Sequence, residues 1–247
     1  MVRCCSAMEL LRGIDSNSVG AIITDPPYHI SIGRAANWSQ ARGFGVDPWT
    51  NTNVSSVDEV IEWTRPHVEQ AHRILRPGGA LVVMGGTQSL VGWDLWCARM
   101  GLQWMAEIVV LWNTGKPRAT KFGSLHTRVV WYAKSGLRHT FNTEARSIYS
   151  NVLVCRKVQR GKRHPAEKPV GLTNFLISLL TKEGDTVVDP FCGTGATLVS
   201  AVQCGRSYAG CDIEAEYVRL ANNRIAQAEH EYPDPVFLWV NGRMEEV

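Results

Sequence analysis

No stretch of this chain is apolar for long. The longest pure runs, such as Ala80 to Met84, fall far short of the ~20 residues that span a bilayer. The opening residues Met1-Val2-Arg3-Cys4-Cys5-Ser6 hold nothing like the hydrophobic stretch of a secretory signal, so a cytoplasmic location without a membrane partner is expected. Cysteine pairing is missing as well. The seven cysteines, at 4, 5, 97, 155, 192, 204 and 211, include no CxxC spacing. That argues against a disulfide framework and a zinc site, and leaves them as small apolar fillers. Internal repeats and low-complexity tracts are absent. With 45% hydrophobic and 20% charged residues the chain is globular rather than disordered, and 247 residues suit one large α/β domain.

Acidic residues are nearly missing from one region. Between Ile108 and Ala166 stand twelve Lys or Arg and a single acid, Glu144, a local net charge of +11 that leaves −8 for the rest of the chain. A block so one-sided reads as a docking surface for a polyanion.

Strands and helices alternate along the sequence, which predicts a largely parallel sheet covered by helices. Ala21–Thr24 is the first clear strand. Residues 31–55 are rich in Gly, Ser, Asn and Trp without periodicity and read as a long functional loop. A helix opens at Ser56 with Glu59 as a capping box, is kinked or split at Pro66, and is stopped by Arg76-Pro77-Gly78-Gly79. Strands follow at Ala80–Met84, Ala106–Trp112 and Arg128–Ala133, the last two spaced for a long hairpin. Val170–Leu180 has helical spacing, Thr186–Asp189 that of a short buried strand. Leu198–Gln203, Ser207–Asp212 and Glu214–Ala228 continue as helix, strand and helix.

Two stretches carry chemistry. In "VVDPFCGTGATLVSA", Val187 to Ala201, a strand runs through Gly193-Thr194-Gly195 into a helix. The glycines permit a tight turn and a close backbone approach to a ligand. A second strand ends at Asp212, where a carboxylate can accept from both hydroxyls of a ribose. This is a nucleoside-cofactor half-site. The third glycine of the dinucleotide fingerprint is lacking, because Leu198 stands there, and that weakens a nicotinamide-dehydrogenase reading. The other stretch is "TDPPYHI", Thr24 to Ile30. Two consecutive prolines end the first strand and make a rigid loop whose side chains are one acid, Asp25, and one aromatic, Tyr28.

Asp25-Pro26-Pro27-Tyr28 and Phe191-Cys192-Gly193-Thr194-Gly195 resemble the paired signatures of the DNA amino-methyltransferases, the N6-adenine and N4-cytosine enzymes that use S-adenosylmethionine. "HPAEKPVGL", His164 to Leu172, and "LRPGGALVVMG", Leu75 to Gly85, resemble two further blocks of that family. Their order is that of its circularly permuted β group, and the resemblance covers nearly the whole chain. It implies a Rossmann-like methyltransferase fold, 1–247 as one catalytic domain, with a small inserted basic target-recognition region at 114–163.

The tetrad makes chemical sense by itself. An exocyclic amine is a poor nucleophile because its lone pair is delocalised into the base. Acceptors that take its N–H hydrogens favour a pyramidal nitrogen able to attack a sulfonium methyl. The Asp25 carboxylate and the proline-locked Pro26 carbonyl supply two such acceptors, preorganised by Pro27. The base must leave the duplex to reach them, and Tyr28 offers a stacking face worth about 1–3 kcal/mol. Transfer is direct, with no covalent enzyme intermediate and no metal.

By resemblance, cofactor contacts fall to Asp25, Asp189, Phe191, Cys192, Gly193, Thr194, Gly195 and Asp212, with Lys168 and Thr173 near the methionine end. The place of the family's adenine-contacting acid is taken by Ser6, which offers a hydrogen bond without charge. Duplex DNA is assigned to Arg34, Trp38 and Arg42 in the long loop and to Lys116, Arg118, Lys121, Lys157, Arg160, Lys162 and Arg163 in the basic span. An aspartate opening the tetrad favours adenine N6; cytosine N4 is the alternative. A non-catalytic DNA-binding protein on the same fold is the other, and the intact tetrad argues against it. The resemblance also admits a homodimer and a companion restriction endonuclease in a prokaryotic or phage-infected cell.

Overall fold

The structure is a computed structural model that describes residues 1–27, 56–112, 125–142, 150–155, 167–230, 236–240 and 243–246. Along the chain run β1 (Arg3–Cys4), α1 (Ala7–Arg12), β2 (Val19–Thr24), α2 (Val57–Ile74), β3 (Leu75–Gly85), α3 (Thr87–Arg99), β4 (Leu102–Trp112), β5 (His126–Lys134) and β6 (Val152–Cys155). There follow α4 (Val170–Leu180), β7 (Thr186–Asp189), α5 (Ala196–Gln203), β8 (Ser207–Asp212), α6 (Ala215–Ala226), β9 (Val236–Val240) and β10 (Arg243–Glu246).

The strands form one sheet in the order β1-β8-β7-β2-β3-β5-β4-β6-β9-β10. The first five are parallel neighbours, and β6 runs parallel to β4. The β5 strand is antiparallel to both β3 and β4, and β9 to both β6 and β10. The α/β sheet is mixed and, as expected, mostly parallel, with five parallel pairings among the nine described.

All six residues of β2 are buried, as a parallel strand covered on both faces requires. Its alternation divides the core. Ile22, with Leu81 and Val83 of β3, packs on Leu10, Val68, Ala71 and Ile74 of α1 and α2. Ala21 and Ile23, with Val82 and Met84, pack on Leu172, Leu176 and Ile177 of α4. Burying each such Ile or Leu contributes about 1.5–3 kcal/mol. On the α4 side α5 and α6 follow in turn, and on the other α2 packs against α3.

This topology creates the place for a site. From β2 the chain continues to β3 on one side; from β7 it continues to β8 on the other. Between β2 and β7 it diverges, and outside the carboxyl ends of two such strands a crevice opens.

Several expectations are corrected. Pro66 does not split α2, which runs unbroken through it. The carbonyl its ring leaves without a donor belongs to Glu62, on the exposed side of the helix where solvent can serve it. Arg76-Pro77-Gly78-Gly79 does not stop the helix. It ends at Ile74, just before them; β3 begins at Leu75, and these four residues lie within it at a register shift, between the Val19–Leu75 and Ala21–Ala80 pairs. The block 114–163 contains β5 and β6, which are strands of the sheet. Two of its cations serve the fold: Arg128 binds Glu107 at 2.7 Å, and Lys134 donates to the Leu75 carbonyl at 2.8 Å. The filler reading holds for Cys97, Cys155, Cys192 and Cys211, whereas Cys4 is exposed and Cys5 and Cys204 are half-buried. No described helix is long and apolar enough to cross a membrane.

The α2–α3 contact is tight at Gly92, where a Cβ would lie 2.5 Å from Thr64 Oγ1 and 3.1 Å from the Ile61 backbone. Gly92→Ala is expected to cost about 1–3 kcal/mol, seen as a melting point about 2–10 °C lower. An unchanged thermal transition would show that the helices part without penalty.

Candidate active site

At the crevice three parallel strands end in acids. Asp25 follows β2, Asp189 closes β7 and Asp212 closes β8. The middle one is fully enclosed. Its Oδ1 accepts from the Thr24 hydroxyl at 2.8 Å and from the Phe191 N–H at 3.1 Å, joining the end of β2 to the loop beyond β7. Burial pushes the Asp189 carboxyl up to about 6, although the donors Thr24, Thr197 and Phe191 pull against that rise.

The glycine loop is held from below and from the side. Gly193 donates its N–H to Asp212 Oδ2 at 3.0 Å, and Glu214 donates to Oδ1 at 2.9 Å. Burial raises the Asp212 carboxyl above the ordinary range while these two N–H groups oppose it. Both glycines have positive φ, for different reasons. Gly193, at +51°, has nothing within 4 Å of a would-be Cβ, so the space beside it is open to a ligand. Gly195, at +85°, has Ala221 of α6 only 2.8 Å from that position.

Two cavities meet at Phe191. The larger, about 350 Å³, is lined by Ser6 and Met8 of the first turn, Pro27, Trp63 and His67 of α2, Phe191, and Asp212 to Glu214 with Tyr217. Its wall is aromatic: the His67 ring stands 4.3 Å from Trp63 and 5.6 Å from Phe191. The smaller, about 40 Å³, is lined by Asp25, Glu167, Lys168, Asp189, Phe191, Cys192, Gly193, Thr194, Ala196 and Thr197. There the Lys168 ammonium forms an ion pair with Asp25, and both side chains are largely buried, at 11% and 16% exposed.

Among the described residues, those assigned from the sequence lie around these two cavities, Thr173 excepted. Asp25, Lys168, Asp189, Phe191, Cys192, Gly193 and Thr194 share the small cavity; Ser6, Pro27, Phe191 and Asp212 share the large one. Pro26 is buried between Asp25 and Pro27, and Gly195 begins α5. Ser6 is also the cap of α1, its hydroxyl donating to Glu9 at 2.7 Å and accepting from the Glu9 N–H at 3.2 Å. Thr173 is placed elsewhere. Fully buried, it bonds Ser200 at 2.6 Å between α4 and α5 and lines neither cavity. Tyr28, Arg34, Trp38, Arg42, Lys116, Arg118, Lys121, Lys157, Arg160, Lys162 and Arg163 lie outside the described residues.

Other lining residues escaped the sequence reading. Trp63 and His67 stand four apart on α2, beside its apolar stripe, and that i, i+4 aromatic pair was the available signal. Tyr217 is an aromatic on α6, a helix whose pattern gave no sign of a cavity. Glu167 and its partner Arg224 carried no signal, because an ion pair joining residues so distant in sequence has no local pattern.

A glycine turn beyond a parallel strand, an acid closing the next strand and an adjacent cavity about the size of a nucleoside define an α/β protein with a nucleoside-type cofactor site. The comparisons narrow this further. Residues 19–223 match the family described as DNA methylase, the N6 and N4 amino-methyltransferases, and the chain belongs to it. It is 25% identical to the DNA adenine methyltransferase YhdJ of Escherichia coli K12, across 91% of this chain and 82% of that one. Among solved structures, the PvuII cytosine-N4-specific DNA methyltransferase superposes with a TM-score of 0.72 at 18% identity, over 93% of this chain and 91% of its own. The M1.HpyAVI–SAM complex gives 0.68 at 22%, over 91% and 98%.

Two measurements test the loop. Asp189→Asn keeps an acceptor oxygen and removes the buried charge. An acid raised in the folded state destabilises the fold when ionised, so the variant should be the more stable at pH 7. Its advantage should shrink as pH falls through about 6 and vanish near 4; parallel melting curves for the two proteins across that window would refute the assignment. Gly195→Ala should lower the melting temperature more than Gly193→Ala, because only the former also strikes Ala221. Equal losses would locate the constraint in φ alone.

Proposed function

We propose that the protein transfers the methyl group of S-adenosylmethionine to the N6 amino group of adenine in duplex DNA, directly and after eversion of the base. The observation that carries this reading is the shared cavity of Asp25 and Gly193, beside the larger one closed by Asp212. Asp212 would hold the donor's ribose and Lys168 its methionine end, with the glycine loop between them, and the donor would supply the sulfonium methyl. The acceptor amine then meets Asp25 and the Pro26 carbonyl. The protein's own contribution is placement and hydrogen bonding: acceptors fixed before the base arrives and aromatic walls that keep water from the nucleoside.

The cofactor is supported by the S-adenosylmethionine complex named for M1.HpyAVI. Adenine is supported by the aspartate that opens the tetrad and by the relative named as an adenine methyltransferase. Cytosine N4 remains the second reading, favoured by the overlay on the PvuII enzyme.

DNA is assigned to the catalytic edge of the sheet. Segment 28–55 leaves after Pro27 and re-enters at Ser56, the cap of α2. Segment 113–124 leaves at Trp112 and returns at Leu125, the two joined by a 2.8 Å hydrogen bond. Segment 156–166 leaves after Cys155, which pairs with Trp112, and returns at Glu167 in the small cavity. All ten residues given to DNA belong to these three segments. Target recognition is therefore assigned to them rather than to 114–163 as a block, within one catalytic domain whose segment order is that of the permuted β group.

Incubation of DNA with labelled S-adenosylmethionine, followed by nucleoside separation, is expected to yield N6-methyladenine; label in N4-methylcytosine alone removes the adenine assignment. Asp25→Ala should cut transfer by about 100-fold or more while binding of S-adenosylhomocysteine persists. Unchanged turnover would sink the mechanism.

A further inference from the structure

We propose that Arg224 is a positioning residue for the glycine loop, and that it sets the loop through Thr194 and Glu167. The inference deepens the cofactor reading and rests on it for the identity of the loop's ligand.

Arg224 lies on α6, outside both cavities, and is 5% exposed. Its Nη1 donates to the Thr194 carbonyl at 2.8 Å and to the Thr194 hydroxyl at 3.0 Å, and stands 3.0 Å from Glu167 Oε1. The Glu167 side chain is 2% exposed and lines the small cavity. A buried guanidinium stays charged and needs partners for its donors. Here they are the middle residue of Gly193-Thr194-Gly195 and the residue preceding Lys168.

The geometry makes α6 a two-point support. Ala221 fills the space where a Cβ on Gly195 would stand, and one turn later Arg224 takes both oxygens of Thr194. The loop cannot tilt outward without opening those bonds or inward without meeting Ala221. Its Gly193 N–H is meanwhile fixed to Asp212. Through Glu167 the same guanidinium reaches the chain that carries Lys168, whose ammonium holds Asp25. One buried cation thus links the loop beyond β7 to the acid beyond β2. It also neutralises Glu167, a third carboxylate beside Asp25 and Asp189 in a small enclosed space.

Removing Arg224 alone strands a buried carboxylate and endangers folding. Two other variants avoid this. Arg224→Lys keeps the charge and loses the planar fork and its reach. The double variant Glu167→Gln, Arg224→Met removes both charges, an exchange that buried pairs often tolerate. Backbone hydrogen exchange of the full chain without cofactor is the first readout. Exchange at Thr194 and Gly195 is expected to rise about tenfold or more in both variants, the scale of losing one hydrogen bond to a charged group. Exchange at Ile22 and Ile23 in β2 should match wild type. Calorimetry with S-adenosylhomocysteine is the second, with the dissociation constant rising by a similar factor. Loop exchange equal to wild type overturns the proposal. Raised exchange with an unchanged dissociation constant overturns it too, because the latch would then serve the fold alone. A wild-type protein that binds no S-adenosylhomocysteine would fell the cofactor reading instead, and the exchange result would still decide whether Arg224 sets the loop.

Discussion

The Asp189 carboxylate accepts hydrogen bonds from Thr24 at the end of β2 and from Phe191 beyond β7, and the spacing of the site is referred to that link. Parallel pairing of β2 with β7 and of β7 with β8 brings three strand ends to one edge. Strand pairing alone leaves the loops beyond those ends free to diverge. A carboxylate bonded to both sides removes that freedom, at the cost of an ionisable group without solvent. The upward push that burial gives the Asp189 pKa reflects this cost: the fold tolerates a reluctant anion so that Asp25 and Gly193 keep their separation.

Around this link the charges are arranged in alternation. Asp25 meets Lys168, Glu167 meets Arg224, and Asp212 takes two backbone N–H groups. Each acid is answered by a different donor type, and apart from the Glu214 N–H on Asp212 none of these pairings is local in sequence. The larger cavity is the opposite kind of surface, walled by Trp63, His67 and Phe191 with the acids Asp212 and Glu214 at its margin. Polar control where bonds would change and flat apolar contact where a ring would rest is the division expected of a site for a small conjugated ligand.

The parts legible in the sequence were those whose physics is local. The α4, β7 and β8 bounds were read to the residue, because apolar spacing and glycine punctuation mark them. The tetrad and glycine loop announced themselves for the same reason. What failed depended on tertiary context. Arg76-Pro77-Gly78-Gly79 has turn composition and lies unpaired between the Val19–Leu75 and Ala21–Ala80 pairs, so β3 is continuous across it only because β2 is paired on both sides. The α1 and α3 helices and strands β1, β6, β9 and β10 were missed. The β6 strand is four residues long and gains its identity from its neighbours in the sheet. The α3 helix begins at Gly86 with no side-chain cap to signal it. Thr173 was placed by analogy near the cofactor, and packing between α4 and α5 claimed its hydroxyl instead.

The antiparallel course of β5 has an evolutionary corollary. Because it reverses the chain between β3 and β4, both ends of the 113–124 excursion stand on the same rim as the β2 and β6 exits. Lengthening any of these segments leaves the described strand pairs in place, and doubling the length of a closed segment costs only about 0.6 kcal/mol in closure entropy. On the proposed assignment of DNA to these segments, descendants of such a chain can exchange what they read piecemeal at one rim, while the described strand ladder and the chemistry beneath it are inherited intact.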